Sequence, residues 1–280
     1  MAPDRDAFKN EVGILTRLNR DRDPHLVKLL LTMEIQGSPE DGIGFYLVFP
    51  LADSNLRQFW QQNFPHPKGR SQAIYGRWVA RQLSGLTHAL CKLHDLHKRE
   101  VQSPDRTENP SDPFYGIHGD IKPENLLWYK EWVGPSPPST ATPGGSDPLG
   151  VLQLADFGIS RLHHTGTRSA VNLGRATKSY AAPEVEWDEH GSSRSFDIWS
   201  LGCVFLEFIC WLVLGGSGTE NPVDAFQTKR YLNNTNKSLA GTVQDTFYHG
   251  ARSKDGAKFE VNPAVLEVRH LLSSTHILDI

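Results

Sequence analysis

No excess of basic charge runs through this sequence: lysine and arginine number 29 against 32 acidic residues, a net charge of −3 with neutral histidines. Nucleic acid and anionic membranes ordinarily call for a basic excess or a basic run, so neither is an expected partner. Cysteine is scarce as well. Cys91, Cys203 and Cys210 are odd in number and widely spaced, which excludes a disulfide framework and points to a reducing intracellular compartment, cytoplasm or nucleus. The opening stretch MAPDRDAFKNEVGIL carries charges where a secretory signal needs an apolar segment. No internal repeat is found, which sets aside solenoids and propellers. Glycine (24) and proline (18) together stay well below the roughly 25–30% of low-complexity chains. With 38% hydrophobic and 10% aromatic residues, a chain of 280 residues can bury a sizeable core as one large or two small domains.

Periodicity then locates the elements. Phe8, Val12, Leu15 and Leu18 follow helical steps, so Asp6 to Leu18 is expected to be an amphipathic helix with Glu11 beside its apolar face. His25 to Ile35 and Gly44 to Leu51 flank the turn-rich GSPEDGIG and predict a two-stranded hairpin. Asp53-Ser54-Asn55 offers caps to a helix at LRQFWQQ, and Ile74 to His94 has the spacing of a long helix. Ile198 to Gly216 is apolar over a length that could cross a bilayer. Glu207 near its middle would be costly in lipid, so a helix buried in a soluble domain is the expectation. Lys98 to Tyr115, polar with three prolines, and Gly134 to Gly150, with five prolines and four glycines in 17 residues, read as solvated loop insertions within one domain.

Three motifs carry the chemistry, in this order: His118-Gly119-Asp120-Ile121-Lys122-Pro123-Glu124-Asn125-Leu126-Leu127, then Asp156-Phe157-Gly158, then Ala182-Pro183-Glu184. Asp197-Ile198-Trp199-Ser200-Leu201-Gly202 follows. The set resembles the catalytic loop, metal-binding turn and APE motif of eukaryotic protein kinases, and Lys122 two places after Asp120 resembles the serine/threonine branch. Phosphoryl transfer needs little covalent help and much charge neutralisation, which suits these residue types. The resemblance implies ATP and Mg²⁺ as cofactors and a protein substrate. It makes Asp120 the acceptor of the substrate proton, Lys122 the cation at the transferring phosphate, and Asn125 and Asp156 the metal ligands. Phe49, Pro50 and Ala52 fall at the adenine hinge, with Leu127 and again Lys122 and Asp156 in the nucleotide site. Leu15, Leu29, His118 and Phe157 match an internal spine, Thr177 the substrate groove, and His163, His164, Thr165, Thr167 and Ser169 the activation segment.

An α+β bilobal fold is therefore expected over residues 1–280: a remnant N-lobe of one helix and two strands (1–50), then a mainly helical C-lobe (51–280) with insertions at 98–115 and 134–150. Departures accompany the matches. The sequence shows no glycine-rich phosphate loop and no strand lysine to pair Glu11, it reaches Ile280 before an arginine partner for Glu184, and Gly119 stands where the family has arginine. Truncation at both ends is the expectation. Glycine at 119 also implies that phosphates on Thr165, Thr167 or Ser169 would couple weakly to Asp120. Three functional readings stay open: a protein serine/threonine kinase, a catalytically inactive interaction module of the same fold, or a fragment of a longer active kinase. A zinc site at Cys91, His94 and His97 is disfavoured, because the third residue rotates off the helical face.

Overall fold

The computed structural model describes residues 5–20, 23–36, 43–63, 65, 70–96, 114–131, 149–158, 160–164, 178–186, 193–215, 220–235, 245–253 and 256–274. They form an α+β fold. Helix α1 (Arg5–Asn19) and strands β1 (Leu31–Gln36) and β2 (Ile43–Val48) make a small upper layer. The larger, mainly helical body holds β3 (Ser54–Asn55), α2 (Leu56–Gln62), α3 (Arg70–His94), β4 (Phe114–Ile117), β5 (Leu126–Tyr129), β6 (Val151–Leu154) and β7 (Arg161–His164). It continues through α4 (Arg194–Leu214), α5 (Pro222–Thr235), β8 (Tyr248–Ser253), β9 (Gly256–Val261) and α6 (Pro263–Ser274).

The upper layer is amphipathic on one side only. Glu34 and Phe45 stand opposite each other in the antiparallel hairpin and face α1, where Phe8 stacks on Phe45 at 4.8 Å. Strand alternation then sends Leu31, Met33, Ile35 and Tyr46 to the other face, and all four are exposed. The expected strand from His25 to Ile35 divides in two. Leu154 N–H donates to the His25 carbonyl at 2.8 Å and Val27 N–H to that of Leu154 at 3.0 Å, so this half joins β6, and bonding to β2 begins at Leu30, whose N–H donates to the Val48 carbonyl at 2.9 Å. Burial explains the division: Leu26 and Val27 are sunk in the larger core, whereas Leu30 and Leu31 are open to solvent. The second strand ends at Val48 and leaves 49–52 as a connection.

Asn55 starts α2 with a reciprocal cap: its Oδ1 accepts from Gln58 N–H at 2.9 Å, and Gln58 Oε1 from Asn55 N–H at 3.2 Å. This cap turns Phe59 and Trp60 inward onto an aromatic cluster with Trp78, Phe208 and Trp211, ring centroids 5.0–5.6 Å apart. The last two come from α4, a helix long and apolar enough to cross a membrane whose inward face is instead core. Both proposed insertions change at their ends. Strand pairing with β7 begins at Phe114, so Phe114 and Tyr115 belong to β4, and 97–113 lie outside the described residues. Leu149 and Gly150 are not free loop either, because Trp128 Nε1 donates to the Leu149 carbonyl at 2.8 Å and Trp78 Nε1 to that of Gly150 at 2.7 Å. Gly150 has φ 79°, and a Cβ there would lie 2.2 Å from the Tyr129 oxygen, so only glycine fits. Residues 132–148 lie outside the described residues.

Candidate active site

The site is built on the turn that follows β4. Asp197, wholly buried at the start of α4, accepts from the main-chain N–H groups of His118 (2.9 Å) and Gly119 (2.8 Å) and bonds to His94 Nε2 at 2.8 Å. A buried carboxylate with three partners is stabilised by them and in turn holds the loop backbone in place. Gly119 has φ 85°, a left-handed conformation in which the absence of Cβ removes a penalty that arginine would carry.

His118 ties this loop to Ala155, the residue that follows β6. Its Nε2 donates to the Ala155 carbonyl at 3.0 Å, so Nδ1 is the lone-pair nitrogen that accepts from Asp120 N–H at 3.3 Å. Burial lowers the pKa of the ring, with Asp197 opposing, and that keeps it in this neutral form. Ser160 Oγ donates to the His118 carbonyl at 3.0 Å, and the Phe157 ring, fully buried, lies 5.0 Å from the imidazole.

Two residues on, the half-buried Asp120 carboxylate is 2.6 Å from Lys122 Nζ and 3.2 Å from Asn125 Nδ2, which also donates to the Asp120 carbonyl at 2.8 Å. The turn Pro123–Asn125 brings the three side chains together, and Pro123 opens it without needing an N–H donor. Ala155 N–H donates to the Asn125 carbonyl at 2.9 Å, placing Asp156 directly after a residue bonded to Asn125. Asp156 is exposed and has φ 65°, a strained value for a residue other than glycine. Its Oδ1 accepts from Gly158 N–H at 3.3 Å.

From above, α1 reaches the same turn. Asn10 Nδ2 donates to the Ser160 carbonyl at 2.7 Å, and Glu11 next to it is pushed up to about 7 by burial and then by the charge of Asp156. Among the described residues no cation pairs with Glu11. At the connection, Phe49, Pro50 and Ala52 are half-buried and Leu51 is 95% exposed. The Pro50 carbonyl accepts from Tyr129 Oη at 3.2 Å, which joins the connection to β5, the strand that carries the half-buried Leu127.

The other sequence candidates scatter. Leu15, His118 and Phe157 are fully buried and Leu29 packs at the edge of the core. Thr165, Thr167, Ser169 and Thr177 lie outside the described residues, as does His97; Cys91 is exposed and His94 is committed to Asp197. Sequence reasoning assigned no role to Asp197, Asn10, Ser160 or the fully buried pair of Glu207 with Arg230 at 2.7 Å. Two of these left a signal, since a carboxylate inside the apolar run of α4 cannot remain without partners.

A model of the protein kinase domain matches residues 114–247. The serine/threonine-protein kinase RCK2 of Saccharomyces cerevisiae is 36% identical over 111 residues, covering 34% of this chain and 17% of the yeast protein. The SNF-related serine/threonine-protein kinase of Rattus norvegicus is 22% identical over 67% of this chain and 18% of its own length. The probable cyclin-dependent kinase 8 of Dictyostelium discoideum is 25% identical over 71% of this chain and 41% of its own length. The chain thus spans well under two thirds of these relatives.

Proposed function

We propose that the chain is a eukaryotic protein kinase that transfers the γ-phosphoryl group of ATP to a serine or threonine hydroxyl of a protein substrate, a reading supported by the kinase-domain match over residues 114–247 and by the likeness to serine/threonine-protein kinases. The observation that carries this reading is the Asp120 carboxylate, held between the Lys122 ammonium at 2.6 Å and the Asn125 amide at 3.2 Å. A carboxylate fixed in this way can orient an incoming hydroxyl and take its proton as the phosphorus–oxygen bond forms. Lys122 offsets the negative charge that gathers on the transferring group. Both are held before substrate arrives, which lowers the reorganisation needed during the reaction.

The donor set fits a hard divalent cation. The Asn125 amide nitrogen is engaged twice by Asp120, so its carbonyl oxygen is the atom left for a ligand, and Asp156 offers an exposed carboxylate. Oxygen donors of this kind suit Mg²⁺, which when bound supplies charge neutralisation at the phosphates of ATP. Adenine is assigned to the connection at Phe49, Pro50 and Ala52, with Leu127 on β5 as an apolar surface beneath it. The unpaired thiols of Cys91, Cys203 and Cys210 suit the reducing intracellular compartment proposed for the chain.

One observation favours a second reading, an interaction module that binds a partner or nucleotide without turnover. Glu11, pushed up to about 7, stands near Asp156 with no cation between them among the described residues. Radiolabelled γ-phosphate transfer to a mixture of serine- and threonine-bearing proteins separates the two. Transfer by the wild-type chain that vanishes in Asp120→Ala is the expected result. Equal counts from both proteins would sink the kinase reading and leave the module.

A further inference from the structure

Ser179 and Tyr180 are consecutive residues of the turn Lys178–Tyr180, each is held by an acid, and both acids are held by one arginine. Tyr180 Oη donates to Glu207 Oε2 at 2.8 Å. Ser179 Oγ donates to Asp245 Oδ1. Arg230, wholly buried on α5, donates from Nη2 to Glu207 Oε1 at 2.7 Å and from Nε to the main-chain oxygen of Asp245 at 3.0 Å. Its guanidinium lies between the rings of Phe226 at 4.3 Å and Phe247 at 4.0 Å. Gln227, three residues earlier on α5, donates to the second Asp245 carboxylate oxygen at 2.7 Å.

Apolar side chains would fill this space with a smaller desolvation penalty, since burying an ion pair costs about what it returns. Charges add direction. A guanidinium presents its donors in a rigid planar fork, so it fixes the orientation of what it binds, and two flanking rings leave it little freedom to turn. The constraint passes along the turn: Ser200 Oγ donates to the Tyr180 carbonyl at 2.8 Å, and Ala181 and Ala182 are buried beside Phe196 and Trp199. The turn also stands near the catalytic loop. Tyr180 is raised by its burial and by Glu207, and Glu124, the neighbour of Asn125, adds to that effect.

We propose that Arg230 is a positioning residue for the protein substrate: through Glu207 and Asp245 it sets where Ser179 and Tyr180 stand, and so shapes the surface beside Asp120 on which the substrate segment rests. The identity of what docks rests on the kinase reading, whereas the positioning of the turn is a property of the fold alone. The test therefore has two arms.

In the first, amide hydrogen exchange is followed on the wild-type chain, on Arg230→Lys, and on the double variant Ser179→Ala/Tyr180→Phe, which cuts both links while leaving the buried pair intact. Exchange of the amides at 179–182 is expected to rise about tenfold in both variants while α3 amides keep their rates. Unchanged exchange at 179–182 in the double variant, or a uniform rise through α3 in Arg230→Lys, overturns the inference. If Arg230→Lys does not fold, the double variant decides alone. In the second arm, KM for a protein substrate is expected to rise about tenfold in the double variant with KM for ATP unchanged. Equal changes in both constants overturn the assignment to substrate positioning. Loss of turnover in the wild-type chain itself would sink the kinase reading while the exchange arm still answers for Arg230.

Discussion

The loop His118–Asn125 and the hairpin β1–β2, separated in sequence by α2 and α3, are built in opposite ways. In the loop, the side chains of His118, Asp120, Lys122 and Asn125 all carry hydrogen bonds, and Asp197 holds the backbone from below. In the hairpin all six residues of β1 are exposed, and its link to α1 on that strand is the exposed pair of Arg5 with Glu34 at 2.9 Å. An exposed ion pair contributes little. The groups that would move a proton and neutralise a phosphate are preorganised, whereas the hairpin is weakly tied, and α1, although Ile14, Leu15 and Leu18 anchor it in the core, carries a carboxylate, Glu11, with no counter-charge among the described residues. Local stability is expected to follow this division, highest around Asp197 and lowest at β1.

The largest break in that contrast comes from chemistry. Asp120→Ala is expected to lower phosphoryl transfer by about a thousandfold, roughly 4 kcal/mol of barrier, with little change in melting temperature. Near-normal rates would remove Asp120 from the mechanism. Next, Asp197→Ala removes the acceptor of two buried N–H groups and the partner of His94, and should cost about 3 kcal/mol in urea unfolding. A loss below about 1 kcal/mol would show that the loop does not depend on its clamp. Gly119→Ala forces a Cβ into φ 85° and should cost about 1 kcal/mol by the same assay. No cost would mean that the loop relaxes freely.

Glu11 sharpens the comparison through pH. Its pKa in the folded chain, about 7, is above the ordinary 4.5, so the folded state holds this proton more tightly than the unfolded state does. Stability is therefore lost as pH rises from about 4.5 to 7, and above that the full penalty remains. Glu11→Gln should melt higher than the wild-type chain at pH 8, with the difference gone near pH 4. The group is only half buried, so solvent keeps the effect modest. A gap that persists at pH 4 would assign it to packing. The smallest effect is expected at the open face of the hairpin, where Met33→Thr should stay within about 0.5 kcal/mol. A larger loss would mean that this face is covered.

Local pattern alone made much of this protein legible. Helical spacing marks α1 and α3, and α2 is readable from its cap residues because the chemistry of the Asn55 cap is confined to four residues. The order of motifs around Asp120, Asp156 and Glu184 named the residue types a phosphoryl-transfer site needs, and an apolar run with one glutamate signalled a buried helix. Tertiary structure decided what depends on distant partners. His25 to Val27 left the hairpin for β6 because Leu26 and Val27 bury more surface there, a competition that no window of sequence contains. Leu149 and Gly150 were drawn out of a proline-rich stretch by two tryptophans, 78 and 128, that need acceptors for their buried N–H groups. The guanidinium of Arg230 reached Glu207, 23 residues away, and fixed Tyr180 through it. Sequence specifies which side chains can carry charge or fill space, but desolvation is set by everything packed around them, and that is what turned a lone arginine on α5 into the holder of a turn.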